Sequence, residues 1–267
     1  MGDYILCQTR RAEKPFYLQP VRLNIYSVEE LCYFLVNDLY LVDSSVFCEG
    51  LAEWLENEAG LSKLAVRLRP KLSRYTDIQE LIYPVLKEIN YLTYDEMKKF
   101  SAAIQVYHNE SACMRERKKG DSLARNGILA DAIQVYQDLI HRIEKAEPGR
   151  EIPESDFSLI PVLYHNLGCA FSRLFQMEKA AECFWEAYRW TGSNEDLCTY
   201  MLAYRSIKTP LEYQSRLAEL GVEEEVRKEI NDRLDDFRRR PERQVYIQDI
   251  DEILTKLTEE YHRSTGS

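Results

Sequence analysis

The stretch "YHNLGCAFSRLFQMEKAAECFWEA", Tyr164 to Ala187, places small residues among large ones at fixed helical intervals. Gly168, Ala180 and Ala187 are small where Leu167, Phe171 and Phe184 are large, on two successive helices. A looser copy lies upstream in "RERKKGDSLARNGILADAIQVYQDLI", where Gly120, Leu123, Gly127, Ala132 and Tyr136 fall at the matching offsets. Leu139 stands where the first-quoted copy has Ala187. The spacing from Gly120 to Gly168 is 48 residues, with "EKAEPGREIPESDF" as the inserted loop; its prolines, glycine and mixed charge make it the expected flexible element.

The wider composition agrees with a helix-rich globular chain. Of 267 residues, 45% are hydrophobic and 30% charged, with only ten glycines and nine prolines. The formal charge of −10 argues against nucleic acid and against anionic lipid surfaces, both of which attract Lys and Arg. The most apolar window, "LCYFLVNDLYLV" at Leu31–Val42, is interrupted by Asn37 and Asp38 and cannot span a bilayer. No signal peptide is legible at the start. The seven scattered cysteines form no C-x-x-C pair and read as buried free thiols. The expected location is the cytoplasm.

Sheet is expected only at the beginning. "DYILCQ" and "PFYLQPVRLNIY" read as a hairpin across "TRRAEK", with Pro20 confining the second strand to an edge or bulge. Two strands cannot stand alone, so the hairpin must lie on helices. Ser27 followed by Glu30 is a capping box, and its helix carries Leu31, Phe34, Leu35 and Leu39 on one side. Asp43 or Ser44 is expected to cap a second helix with Val46, Leu51, Trp54 and Leu55, closed near Gly60. Further helices are expected at Ser62–Leu72, Asp77–Asn90 and Tyr94–His108, the last running on without a clear break towards Asn126.

Tyr164-x-x-Leu167-Gly168-x-x-Phe171 followed by Ala180-x-x-x-Phe184-x-x-Ala187 resembles the tetratricopeptide repeat, a helix–turn–helix unit. Tyr164 replaces the family's Trp, Phe171 its Tyr, and Gly192 its late Pro. The resemblance implies that the paired helices cross at Gly168 and Ala180 while the large residues fill the flanks. "NEDLCTYMLAYRSIKTPLEYQSRLAEL" then reads as a degenerate third unit. Two stripes, Val222–Val226–Ile230–Leu234–Phe237 and Ile247–Ile250–Leu254–Leu257–Tyr261, read as capping helices. The opening "DYILCQTRRAEKPFY" with "NIYSVEELCYFL" also resembles the start of tetratricopeptide-containing proteins of clostridial bacteria. The expected architecture is mainly α: an α-solenoid of such repeats over 110–220, preceded by a β-hairpin plus helical region at 1–109 and followed by capping helices at 221–267.

Chemistry is sparse. His108, His141, His165 and His262 share no metal-binding spacing, and no phosphate loop or nucleophile elbow occurs. Neither cofactor, metal nor catalytic residue is expected. "RRRPER" at Arg238–Arg243 reads as a solvated helix end. The family's concave groove implies candidate peptide contacts at Arg117, Lys118, Asp121 and Arg125, then His165, Asn166, Cys169 and Arg173, then Tyr200 with Thr199 and Ala203. Four of these are basic on an acidic chain, which suits an acidic peptide or C-terminal carboxylate, although Lys and Arg are also ordinary helix-surface residues. The expectation is a non-catalytic adaptor or assembly factor holding a peptide segment of another protein. A peptide-sensing regulator is the alternative, and an enzyme acting through the N-terminal region a more distant one. Oligomeric state is open.

Overall fold

The computed structural model describes residues 9–72, 77–145 and 154–239, and these are mainly helical. Among them the sheet is one antiparallel hairpin, β1 (Phe16–Leu18) and β2 (Leu23–Ile25), with Phe16 opposite Ile25 and Leu18 opposite Leu23. Both strands come from the segment expected to supply one. Pro20 opens the turn between them, where its fixed φ suits a 3-10 start and its missing N–H costs nothing. Arg22 closes that turn at φ 54°. The expected partner strand at 3–8 lies outside the described residues.

Ser27 caps α1 (Val28–Asn37) through the predicted box, its hydroxyl accepting from Glu30 N and the Glu30 carboxylate from Ser27 N. Leu31, Phe34, Leu35 and Leu39 are all buried. The next helix, α2 (Glu49–Asn57), begins later than expected. Asp43 caps a local turn instead, accepting from Ser45 N and Oγ at 2.8 and 2.6 Å, which is the short-range competition that keeps Asp in turns. The hairpin lies on α2: Phe16 packs 6.0 Å from the Trp54 ring, and Trp54 Nε1 donates to Lys14 O at 2.9 Å.

Then come α3 (Ser62–Leu72), α4 (Ile78–Glu88), capped by Asp77, and α5 (Tyr94–Asn109), started by a Thr93–Glu96 capping box. The expected run-on towards Asn126 is broken at Glu110–Ser111. Ser111 caps α6 (Ala112–Arg125), accepting from Met114 N at 3.1 Å.

Two helix pairs follow, α6 with α7 (Leu129–Glu144), and, after the short α8 (Glu154–Phe157), α9 (Ile160–Arg173) with α10 (Met177–Thr191). Within each pair a glycine meets a ring. A β-carbon on Gly120 would lie 2.5 Å from Tyr136 Cε1, and one on Gly168 would lie 2.6 Å from Phe184 Cε1. The small-and-large alternation of the sequence is therefore two close helix crossings, the same offset apart in each pair. The pairs abut where α7 packs on α9. The Arg22 guanidinium clips the hairpin turn to the first turn of α7, reaching Asp131 at 2.8 and 2.9 Å. Most of the inserted loop, 146–153, lies outside the described residues.

The chain divides into two compact units, 1–192 and 193–267, so the boundary falls inside the segment 110–220. The second unit holds α11 (Asn194–Ile207), α12 (Pro210–Glu219) and α13 (Glu224–Arg239) around buried Cys198, Met201, Tyr213, Leu217 and Ile230. Pro210 sits in the first turn of α12 behind a Thr209–Glu212 capping box. The expected last helix, around Ile247–Tyr261, and most of Arg238–Arg243 lie outside the described residues. Among the described residues no helix is long and apolar enough to cross a membrane.

Candidate functional site

The groove residues inferred from the sequence do not share one environment. Lys118 and Arg125, on α6, turn towards the N-terminal region, where the 3-10 turn Leu39–Leu41 lies against the helix. Lys118 Nζ donates to Tyr40 Oη at 2.9 Å and pairs closely with Glu110, while Tyr40 Oη donates to Glu110 at 2.9 Å. Burial alone would lower the Lys118 ammonium, but Glu110 and Tyr40 outweigh it and raise it. Arg125 Nη2 donates to Asn37 O at 3.0 Å and to the buried Asp38 at 2.9 Å, and Asn126 Nδ2 also donates to Asp38 at 2.8 Å. This face of α6 already holds the Asn37–Leu41 segment through Asp38 and Tyr40, and that segment belongs to the same unit.

A second group does converge. Asp121 on α6 accepts from Tyr136 Oη on α7 and from Asn166 Nδ2 on α9, both at 2.8 Å. One carboxylate thus joins three helices. The Tyr136 phenol is raised far above its ordinary value, first by burial and then by that carboxylate. Arg117 Nε lies 3.8 Å from Asp121, in ion-pair range, and is buried without a hydrogen bond. Arg173 donates to Ala124 O at the end of α6. Asp121, Ala124, Asn166, Cys169 and Arg173 line an open cleft of about 270 Å³ floored by Tyr136 and Ala170. Cys169 and Arg173 are its exposed members.

His165 stands apart, with its ring 5.5 Å from Phe184 at the α9–α10 crossing. Tyr200 belongs to the second unit, where it is buried, lies 5.5 Å from Tyr204 and accepts from Arg216 Nε at 3.1 Å. The positions that periodicity did not mark are Asp38, Tyr40 and Glu110. A trace existed, because Asn37 and Asp38 interrupt an otherwise apolar run, and a polar break in a buried segment calls for a partner.

Among the described residues, no three side chains of metal-ligating type converge. No protein-family model, no curated protein and no solved structure matches this chain.

Proposed function

We propose that this chain is a tetratricopeptide-like interaction protein, and that the cleft between α6 and α9 receives a peptide segment of a partner without acting on it chemically. One observation carries the reading. Two successive helix pairs repeat the same glycine-to-ring crossing at matched offsets, and their first helices leave an open, polar-edged cleft. Such a cleft suits an extended or helical segment whose side chains alternate between apolar floor and polar rim.

The chemistry of the rim narrows the partner. Lys118 lies off this rim, paired with Glu110, and Arg117 sits against Asp121. Arg173 gives one N–H group to Ala124 O and is otherwise exposed, so an acidic side chain fits there through a charge-assisted pair. The α6 face sets a precedent for that preference, since Arg125 and Asn126 already hold Asp38.

The test is copurification of the full chain from its source cells followed by mass spectrometry, in parallel with Cys169→Trp and Arg173→Glu. The first variant fills the cleft and the second reverses its exposed charge, and neither removes the Asp121 bridge. A stoichiometric partner held by the parent and lost from both folded variants is expected. A partner retained by the filled cleft ends the proposal, as does a cofactor or metabolite turned over by the chain.

A further inference from the structure

A second concavity lies elsewhere in the first unit, at the junction of the Val42–Phe47 segment, the end of α3, the start of α4, the end of α5 and the first turn of α6. Its volume is about 720 Å³, within the range of small-molecule sites. Its walls combine apolar and aromatic surface (Phe47, Leu72, Ile78, Leu81, Tyr107) with the polar side chains of Asp43, Lys71, Asp77, His108 and Arg115.

These groups are not equally engaged. Asp43 accepts from Ser45 N and Oγ. Asp77 accepts from Gln79 N at 3.1 Å and lies 3.2 Å from His108 Nε2. Lys71 Nζ meets the Glu80 carboxylate at 3.2 Å and its carbonyl at 3.3 Å. Arg115 differs. Its guanidinium lies 5.4 Å from the centre of the Tyr107 ring, and it makes no hydrogen bond or ion pair among the described residues. Tyr107 is itself braced by the Tyr40 ring at 5.5 Å and the His108 ring at 5.7 Å, which holds the platform under the guanidinium in place.

The acids that line the cavity are thus satisfied internally, while a half-buried guanidinium on an aromatic face is left over. We propose that this cavity is a binding site for a small amphipathic organic acid. The carboxylate would take the Arg115 N–H groups as a forked acceptor. The apolar body would lie against Tyr107, Phe47, Leu72, Ile78 and Leu81. The site shares no residue with the α6–α9 cleft, so it stands or falls independently of the peptide reading.

The probe is 1-naphthoate, titrated calorimetrically against the full chain beside its neutral counterpart 1-naphthalenemethanol. Saturable one-to-one binding of the acid at or below about 1 mM is expected for a ligand of this size. The alcohol should bind at least tenfold more weakly. Arg115→Gln should abolish that discrimination, and Leu81→Trp, which fills the cavity, should abolish binding of both, with thermal melts confirming that each variant folds. Equal binding of acid and alcohol would overturn the assignment, as would absence of saturation or titrations unchanged by both substitutions. Displacement of the probe by a peptide with a free C-terminal Phe, binding more tightly through Arg115, would overturn it in favour of a chain terminus.

Discussion

Gly168 and Phe184 stand so close that a β-carbon on the glycine would meet the ring edge at 2.6 Å, and Gly120 repeats this against Tyr136 at 2.5 Å. Both rings are buried, at 5% and 1% exposure, so neither can swing into solvent to make room. Gly168→Ala and Gly120→Ala are each expected to destabilise the first unit by about 1–3 kcal/mol through overpacking, despite alanine's better helix propensity. Urea denaturation of the full chain measures this. Adding Phe184→Leu to Gly168→Ala should recover part of the loss. A neutral or stabilising Gly168→Ala would show that the crossing is not close-packed at this glycine.

The turns that follow the two first helices offer a paired experiment. Gly127 and Phe175 occupy matching positions, both left-handed, at φ 80° and 58°. Each precedes the same closing bond, Ile128 N to Leu123 O at 2.9 Å and Gln176 N to Phe171 O at 3.0 Å. Glycine suits that conformation and phenylalanine does not. Phe175 is also 90% exposed, so little packing offsets the strain. Relief of about 1–2 kcal/mol of left-handed strain, less roughly 0.4–1 kcal/mol for the freer unfolded chain, should make Phe175→Gly stabilising by about 0.5–1 kcal/mol. Gly127→Phe should lose a similar amount. Thermal melts of both variants decide the matter, and a destabilised Phe175→Gly would mean that the side chain has a contact it is here denied.

Alkaline pH should weaken the fold in a defined window. Burial is the first cause in every group concerned. It pushes the Cys32 and Cys183 thiols up to about 12 and the Tyr91 phenol up to about 12. Tyr136 is raised further still, by burial and then by Asp121. Each group ionises earlier in the unfolded chain, near pH 8.5 for thiols and about 10 for phenols, so above those values the folded form retains more protons. The contribution is therefore complete below about pH 8.5 and falls as pH rises through the window up to the folded values. Denaturation midpoints measured between about pH 7 and 11 should decline on the alkaline side. Phenolate absorbance of the folded chain should show a fraction of the tyrosines resisting ionisation, and that fraction should shrink in Tyr136→Phe. A flat alkaline limb would contradict the burial of these groups.

The helix pairs were legible because their signal is local: small residues at fixed offsets from rings, and caps such as Ser27–Glu30 that need only four residues. What was not legible is what lies far away in sequence. The groove positions of α6 were assigned by offset, but Lys118 and Arg125 answer to Tyr40 and Asp38, nearly eighty and ninety residues earlier. Offset along a helix gives the direction of a side chain and says nothing of what occupies the space beyond it. The α5–α6 break escaped for a different reason. Neither Gly nor Pro marks it, and Ser111 acts only through its cap, where Glu110 leaves the helix with extended backbone. Asp43, with Ser44 one of two expected helix caps, takes Ser45 as its nearer partner. In each case a general rule was satisfied by a competing local or distant group.

The Arg125–Asp38 pair yields the final prediction, and it separates structure from recognition. Asp38 is buried with its side chain 7% exposed, whereas that of Arg125 is 62% exposed. Arg125→Ala would leave the carboxylate with Asn126 Nδ2 at 2.8 Å but without its cation. Half of the pair is in water, so the loss should be modest, about 1–2 kcal/mol, and smaller in high salt. Asp38→Asn in the Arg125→Ala background should restore part of that loss, because a neutral amide buried there no longer needs a counter-charge. Charge reversal at Arg125 is then a poor probe of partner binding, since it puts two carboxylates together inside the first unit. Arg173→Glu strands no buried acid, because Arg173 contacts a backbone carbonyl and not a buried carboxylate. If Arg125→Ala proves neutral while Arg125→Glu and Arg173→Glu weaken partner capture equally, then Arg125 serves the groove after all and its pairing with Asp38 is incidental.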